Sequence, residues 1–159
     1  PSGRVLALEP HPEIFARLQS NIARWQGLPL APIEARATGL SSAAGRGLLY
    51  DPEGFTANRG SATLQPGHEQ RPSRAIELNT LDEIVPVGET IGVLKLDVEG
   101  HEAAVLQGAR RVLAERRVRD IVFEDWDLAG GAVLPILAQA GFAIFALHAA
   151  WSGPRLIPV

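Results

Sequence analysis

The stretch KLDVEGHE, Lys95 to Glu102, decides how this chain is read. The apolar run Ile91–Val98 leads into it, and apolar residues at helical spacing follow it. It therefore marks the place where a buried strand gives way to a helix. Three carboxylates and a histidine crowd there, and Lys95 is the only lysine among the chain's 15 Lys and Arg residues. Strand alternation puts Lys95 and Asp97 on one face, where they either pair or leave Asp97 facing a ligand at the strand tip. Glu99 and Glu102 would share a helical face if the helix starts early, and a helix dipole favours acids there in any case. His101 is a candidate general base, because an imidazole titrates near neutrality; it also fits an exposed place in a first helical turn. HEAAV begins like a zinc-protease motif, but Val105 stands at the second ligand position, so that motif is absent.

The pattern of a strand ending in acids recurs on either side. RVLALE (Arg4–Glu9) is an apolar strand closed by Glu9, and RDIVFED (Arg119–Asp125) ends in Glu124 and Asp125. After Glu9, His11 is a plausible N-cap, Pro12 suits the first helical position and Glu13 complements the dipole. Ile14, Phe15, Leu18, Ile22 and Trp25 then fall at helical spacing until Gly27 and Pro29. Ala31–Gly39 is expected to be a strand, LLYD the start of an antiparallel one, and Arg74–Thr80 a half-exposed one. Thr80 with Glu83 forms a capping box for a short helix over TLDEIV. Val105, Leu106, Ala109, Val112 and Leu113 line one face of the helix after KLDVEGHE. Ala132–Ala140 is helical up to Gly141, Phe142–His148 is a strand, and RLIPV is a candidate last strand. Residues 53–73, rich in Gly and Pro, form the longest irregular segment and are expected to cover a binding site. Strands alternating with amphipathic helices give an α/β fold with a largely parallel sheet, whose ligands bind beyond the carboxyl ends of the strands.

Composition narrows the function. The chain has 159 residues, enough for one domain, with net charge −3 and no cysteine. That charge offers no electrostatic case for nucleic acid or an anionic membrane, and no apolar run is long enough to span a bilayer. A cytoplasmic location is the expectation without a signal-peptide pattern. There is no P-loop, no G-x-S-x-G elbow, no G-x-G-x-x-G, and no His/Asp/Glu spacing typical of metal ligands.

GRVLALEPHPEIFARLQSNI, SSAAGRGLLY, TLDEI, LKLDVEGHEAAVLQGARRVL and IVFE, in that order, together resemble the FkbM family of S-adenosylmethionine-dependent methyltransferases. The resemblance implies a single Rossmann-like domain over residues 1–159 with strand order 3-2-1-4-5-7-6. RVLALE would be the second strand, VLKLDV the fourth and DIVFE the fifth. The family's first strand and glycine-rich loop precede the part matched here, so the sheet is expected without strand 1, as in a domain shortened at its N-terminus. Glu9, Pro10 and His11 would contact the ribose side of S-adenosylmethionine, Thr38 and Gly39 would lie near the adenine, and Asp97 would stand at the methyl-transfer crevice. Asp97 or His101 would take the proton of a small-molecule hydroxyl on a sugar or natural-product intermediate, or a divalent ion between Asp97 and Glu124 would lower that hydroxyl's pKa. The other reading is a non-catalytic module on the same fold, with an oligomerising or binding role. Two apolar strands left without their shared neighbour make a homo-oligomer the expected form.

Overall fold

The computed structural model describes residues 3–51, 62–65, 67–124, 131–148 and 153–159. Strand β6 (Ile91–Leu96) runs parallel to β7 (Val118–Phe123), with Ile91 beside Val118 and Leu96 beside Phe123. A parallel pair needs a crossover. Here α3 (Glu102–Gln107) and α4 (Arg110–Ala114) supply it. The apolar face expected from the sequence is the one that packs: Val105, Leu106, Ala109, Val112 and Leu113 are all buried. They meet Leu96 and Val118 from the strands, Leu81 from α2 (Leu81–Ile84) and Leu137 from α5 (Val133–Gln139) in one core.

The expected single helix is broken at Gly108 and Ala109, for a reason that lies outside it. Asp82 of α2 accepts hydrogen bonds from the backbone N–H groups of Arg111 (2.7 Å) and Val112 (3.0 Å), capping α4 from another element. Arg111 answers by donating to the carbonyls of Asp82 and Val85. Gly108 itself lies against Ser41, where an added Cβ would stand 2.0 Å from the Ser41 carbonyl oxygen. Only a residue with no side chain allows that approach.

A second parallel pair joins β1 (Val5–Leu8) to β2 (Ile33–Arg36) through α1 (Pro12–Trp25). The helix begins as its sequence requires, with His11 as N-cap and Pro12 in the first turn. Its apolar face is only half-buried and no residue of the helix is fully buried; Trp25 is 43% exposed. The helix packs on β2.

The third ladder has β5 (Ser73–Asn79) in the middle, parallel to β3 (Gly39–Leu40) and antiparallel to β4 (Gly45–Tyr50). The expected strand over Ala31–Gly39 is thus two strands in different ladders. Between them Thr38 turns inward: its hydroxyl lies 3.2 Å from the Glu77 carbonyl oxygen and accepts from Asn79 Nδ2 at 2.9 Å. The Thr80–Glu83 capping box on α2 is present as read. Strands β8 (Phe145–His148) and β9 (Arg155–Pro158) pair antiparallel.

Among the described residues these four ladders are separate, so the continuous order 3-2-1-4-5-7-6 is not formed. Among the described residues β1 pairs with β2 alone, and β6 with β7 alone. Each keeps an unpaired edge, and Val5 and Val93 are 46% and 58% exposed. No described helix is long and apolar enough to cross a membrane.

Gly108→Ala is expected to lower stability by about 1–3 kcal/mol, the cost of overpacking against backbone that cannot rotate away. Chemical denaturation of the variant beside the parent measures this. A loss below about 0.5 kcal/mol would show that the backbone yields at Ser41, just after β3.

Candidate active site

A cavity of about 270 Å³ opens between the carboxyl ends of β1 and β6. Leu8, Glu9 and Pro10 enter it from β1, and Asp97, Val98 and Glu99 from β6. Ile14 and Arg17 of α1, Leu40 of β3 and Leu49 of β4 close its sides. Most of this wall is apolar, and its three carboxylates face one cation, Arg17. Sequence reasoning named Glu9, Pro10 and Asp97. Arg17, Leu40 and Leu49 carry no local signal, because only packing brings them here.

Glu9 is held by its own turn. Its Oε1 accepts from the backbone N–H of His11 at 2.7 Å. Burial still pushes its pKa up, with that hydrogen bond pulling the other way. His11 is buried and does not line the cavity. Its Nδ1 accepts from the N–H groups of Glu13 (3.2 Å) and Ile14 (3.4 Å), so the ring proton sits on Nε2, 3.3 Å from Asp51 Oδ1. Arg74 pairs with the other oxygen of Asp51 at 2.5 Å. His11 thus fixes the start of α1, and with it Ile14 and Arg17 on the cavity wall. Burial pushes its pKa down, and so does the nearby Arg74, while Asp51 opposes both. Thr38 and Gly39 lie on β3 and its approach, outside the cavity lining.

The turn after β6 is built around Glu102. Its carboxylate is buried and Oε1 accepts from the N–H groups of Val98 (3.2 Å) and Gly100 (3.4 Å). The helix therefore begins at Glu102 rather than early, and Glu99 and Glu102 share no helical face. Glu99 instead takes a left-handed conformation at φ +51°, followed by Gly100 at φ +87°. Such a conformation costs a side-chain-bearing residue energy and persists only when its surroundings hold it. Here Thr63 Oγ1 donates to the Glu99 carbonyl (2.9 Å) and Gln65 Nε2 to the Gly100 carbonyl (2.9 Å). Burial, then Asp97, Glu124 and Glu102, hold the Glu99 carboxyl above its ordinary range.

Asp97 lines the cavity and pairs with Lys95 at 2.5 Å, as strand alternation allowed. His101 does not line it; its Nε2 lies 3.0 Å from Ser41 Oγ, tying the turn to β3. The two candidate bases therefore occupy different surroundings. Among the described residues no three His, Asp or Glu side chains are grouped to hold a metal ion. Asp125 and residues 53–61 and 66 of the expected covering segment lie outside the described residues.

Parallel β-α-β units with carboxylates over a crevice at their strand ends define an α/β domain, the class of fold whose ligands bind beyond the strand ends. The Methyltransferase FkbM domain profile matches residues 1–144, and the chain belongs to the FkbM methyltransferase family. It is 36% identical over 111 residues to the hexuronic acid methyltransferase AglP of Haloferax volcanii, covering 69% of this chain and 42% of that protein. It is 31% identical over 186 residues to the methyltransferase sdnD of Sordaria araneosa, covering 96% of this chain and 69% of that protein. The crystal structure of Methyltransferase FkbM from Methylobacillus flagellatus KT shares the fold, with a TM-score of 0.61 at 20% identity over 91% of this chain and 32% of that one.

The His11 geometry sets a pH dependence. Its folded pKa lies below the unfolded value of about 6.5, so the stability it contributes is complete above that pH and is lost as pH falls below it. His101, whose pKa burial also lowers, acts in the same sense. Glu9 and Glu99, whose folded values are raised, act oppositely, losing stability as pH rises from the ordinary carboxyl range. The difference between two proteins isolates His11. His11→Asn keeps an N-cap acceptor and is expected to flatten the fall in melting temperature between pH 7.5 and 5.5. Parallel pH profiles for the two proteins would remove His11 as its source.

Proposed function

We propose that this chain transfers a methyl group from S-adenosylmethionine to a hydroxyl of a sugar or natural-product-like acceptor. The observation that carries the reading is the cavity that joins Glu9 at the end of β1 to Asp97 at the end of β6, in a member of a methyltransferase family. The hexuronic acid methyltransferase among its relatives supports a sugar acceptor.

The chemistry of the wall fits such a donor. Leu8, Pro10, Leu40 and Leu49 offer apolar surface to a flat ring, and Glu9 is a carboxylate placed to accept from hydroxyls. Only Oε1 of Glu9 is engaged in the described contacts, by the His11 N–H. The donor supplies an electrophilic methyl on a sulfonium. The protein has to align the acceptor oxygen with it and accept the proton that oxygen gives up. Asp97, at the strand tip and on the cavity wall, is the group we assign to that proton; Lys95 beside it holds the carboxylate in place. His101, turned to Ser41, positions the turn.

A second reading is favoured by the unpaired edges of β1 and β6, both apolar. Edges of this kind recruit another strand, so self-association is proposed alongside catalysis. Sedimentation at micromolar concentration tests it, and a clean monomer would reject it.

For the catalytic reading, Glu9→Ala is expected to weaken S-adenosylmethionine binding by about 1.5–3 kcal/mol, the worth of a charge-assisted hydrogen bond. Calorimetry measures it, and unchanged affinity would take Glu9 out of the donor site. Asp97→Asn keeps the shape and removes the charge. Its methyl transfer to a hexuronic acid acceptor is expected to fall about 10²–10⁴-fold with an unchanged melting temperature. A rate that survives the change would remove Asp97 from the reaction.

A further inference from the structure

The three carboxylates on the cavity wall are not in the same state. Asp97 already faces a cation, Lys95 Nζ at 2.5 Å. Glu9 is engaged by the backbone N–H of His11. Glu102, behind the turn, spends its charge on the N–H groups of Val98 and Gly100. Glu99 is half-buried, lines the cavity, and has no cation or hydrogen-bond donor on its carboxylate among the described residues. Asp97, Glu124 and Glu102, all of its own sign, act on it unfavourably. The cation among the described residues that line the cavity, Arg17, belongs to α1.

The backbone shows that this position is imposed. Glu99 sits at φ +51°, a conformation a glycine would hold at less cost. The turn is gripped on one side by Glu102 and on the other by Thr63 and Gln65. A local cost is thus met to keep a carboxylate, rather than a bare glycine, on the cavity wall.

We infer that Glu99 recognises the positive charge of the sulfonium donor and so separates the donor from its neutral product. The inference rests on the methyl-donor reading of this cavity. When the methyl group leaves, the pair of electrons in the carbon–sulfur bond stays on sulfur, the sulfonium becomes a neutral thioether, and the acceptor's proton passes to a base. The group that held the charge then holds nothing, and product release is favoured. Before transfer, a cation beside Glu99 relieves the repulsion among Glu99, Asp97, Glu102 and Glu124. Product binding brings no such relief. The attraction needs Glu99 ionised, so protons compete with the donor, and its affinity falls more steeply than that of the product as pH drops.

The experiment is calorimetric binding of S-adenosylmethionine and of S-adenosylhomocysteine to the purified protein, its Glu99→Gln variant and its Glu99→Gly variant. The parent is expected to prefer the sulfonium by at least about threefold at pH 8, a size set by a partly exposed charge pair. That preference should shrink as the pH is lowered towards 5. Both variants are expected to keep the parent's affinity for the thioether and to lose the preference. The glycine variant suits the left-handed backbone, so it guards against misfolding as the cause. A preference that persists in both variants overturns the role of Glu99, as does an equal loss of both ligands, which would mark a structural residue. If the thioether binds the parent but the sulfonium binds no better, the cavity remains a donor site and the inference fails. If the parent binds neither, the donor-site reading itself falls.

Discussion

The two hydrogen bonds from Val98 and Gly100 to the buried Glu102 carboxylate organise the rest of the site. A carboxylate taken out of water needs donors, and the backbone N–H groups of the turn that precedes α3 supply them without another side chain. By meeting that need Glu102 ends β6, turns the chain through Glu99 and Gly100, and starts α3 in one step. The reading of KLDVEGHE as a crowd of charges at a strand tip was right about place. The charges divide by role: Glu102 builds the turn, His101 anchors it to Ser41, and Asp97 and Glu99 reach the cavity.

The same logic operates at the end of β1, with a different residue. There the donors of α1 are met by a histidine nitrogen, and the buried ring is held from its other side by Asp51, itself paired with Arg74. Both walls of the cavity are therefore strand-to-helix turns fixed by buried polar side chains. At α1 the histidine meets N–H groups that a helix start leaves unpaired, whereas Glu102 meets those of the turn before α3.

Packing divides unevenly between the two halves. The β6–β7 unit has α3, α4, α5 and α2 around it and holds the core. The β1–β2 unit has one helix, none of whose residues is fully buried. A site that spans both inherits one rigid wall and one weaker wall, and the polar ties of His11 do what apolar packing does on the other side.

The sequence by itself determined the local elements, because their causes are local. His11 and Pro12 start α1, Thr80 and Glu83 box the start of α2, and the spacing of Val105, Leu106, Ala109, Val112 and Leu113 marks the buried face. Glu9 and Asp97 were legible as strand-end acids for the same reason. Tertiary structure decided what depends on partners far along the chain. Asp82 caps α4 from 29 residues away and, with the Gly108–Ser41 contact, splits the expected single helix. Thr38 turns inward to Asn79 and divides the expected strand over residues 31–39. Thr63 and Gln65 hold Glu99 left-handed. No periodicity records such contacts, since each is settled by which distant donor meets which acceptor once the elements pack.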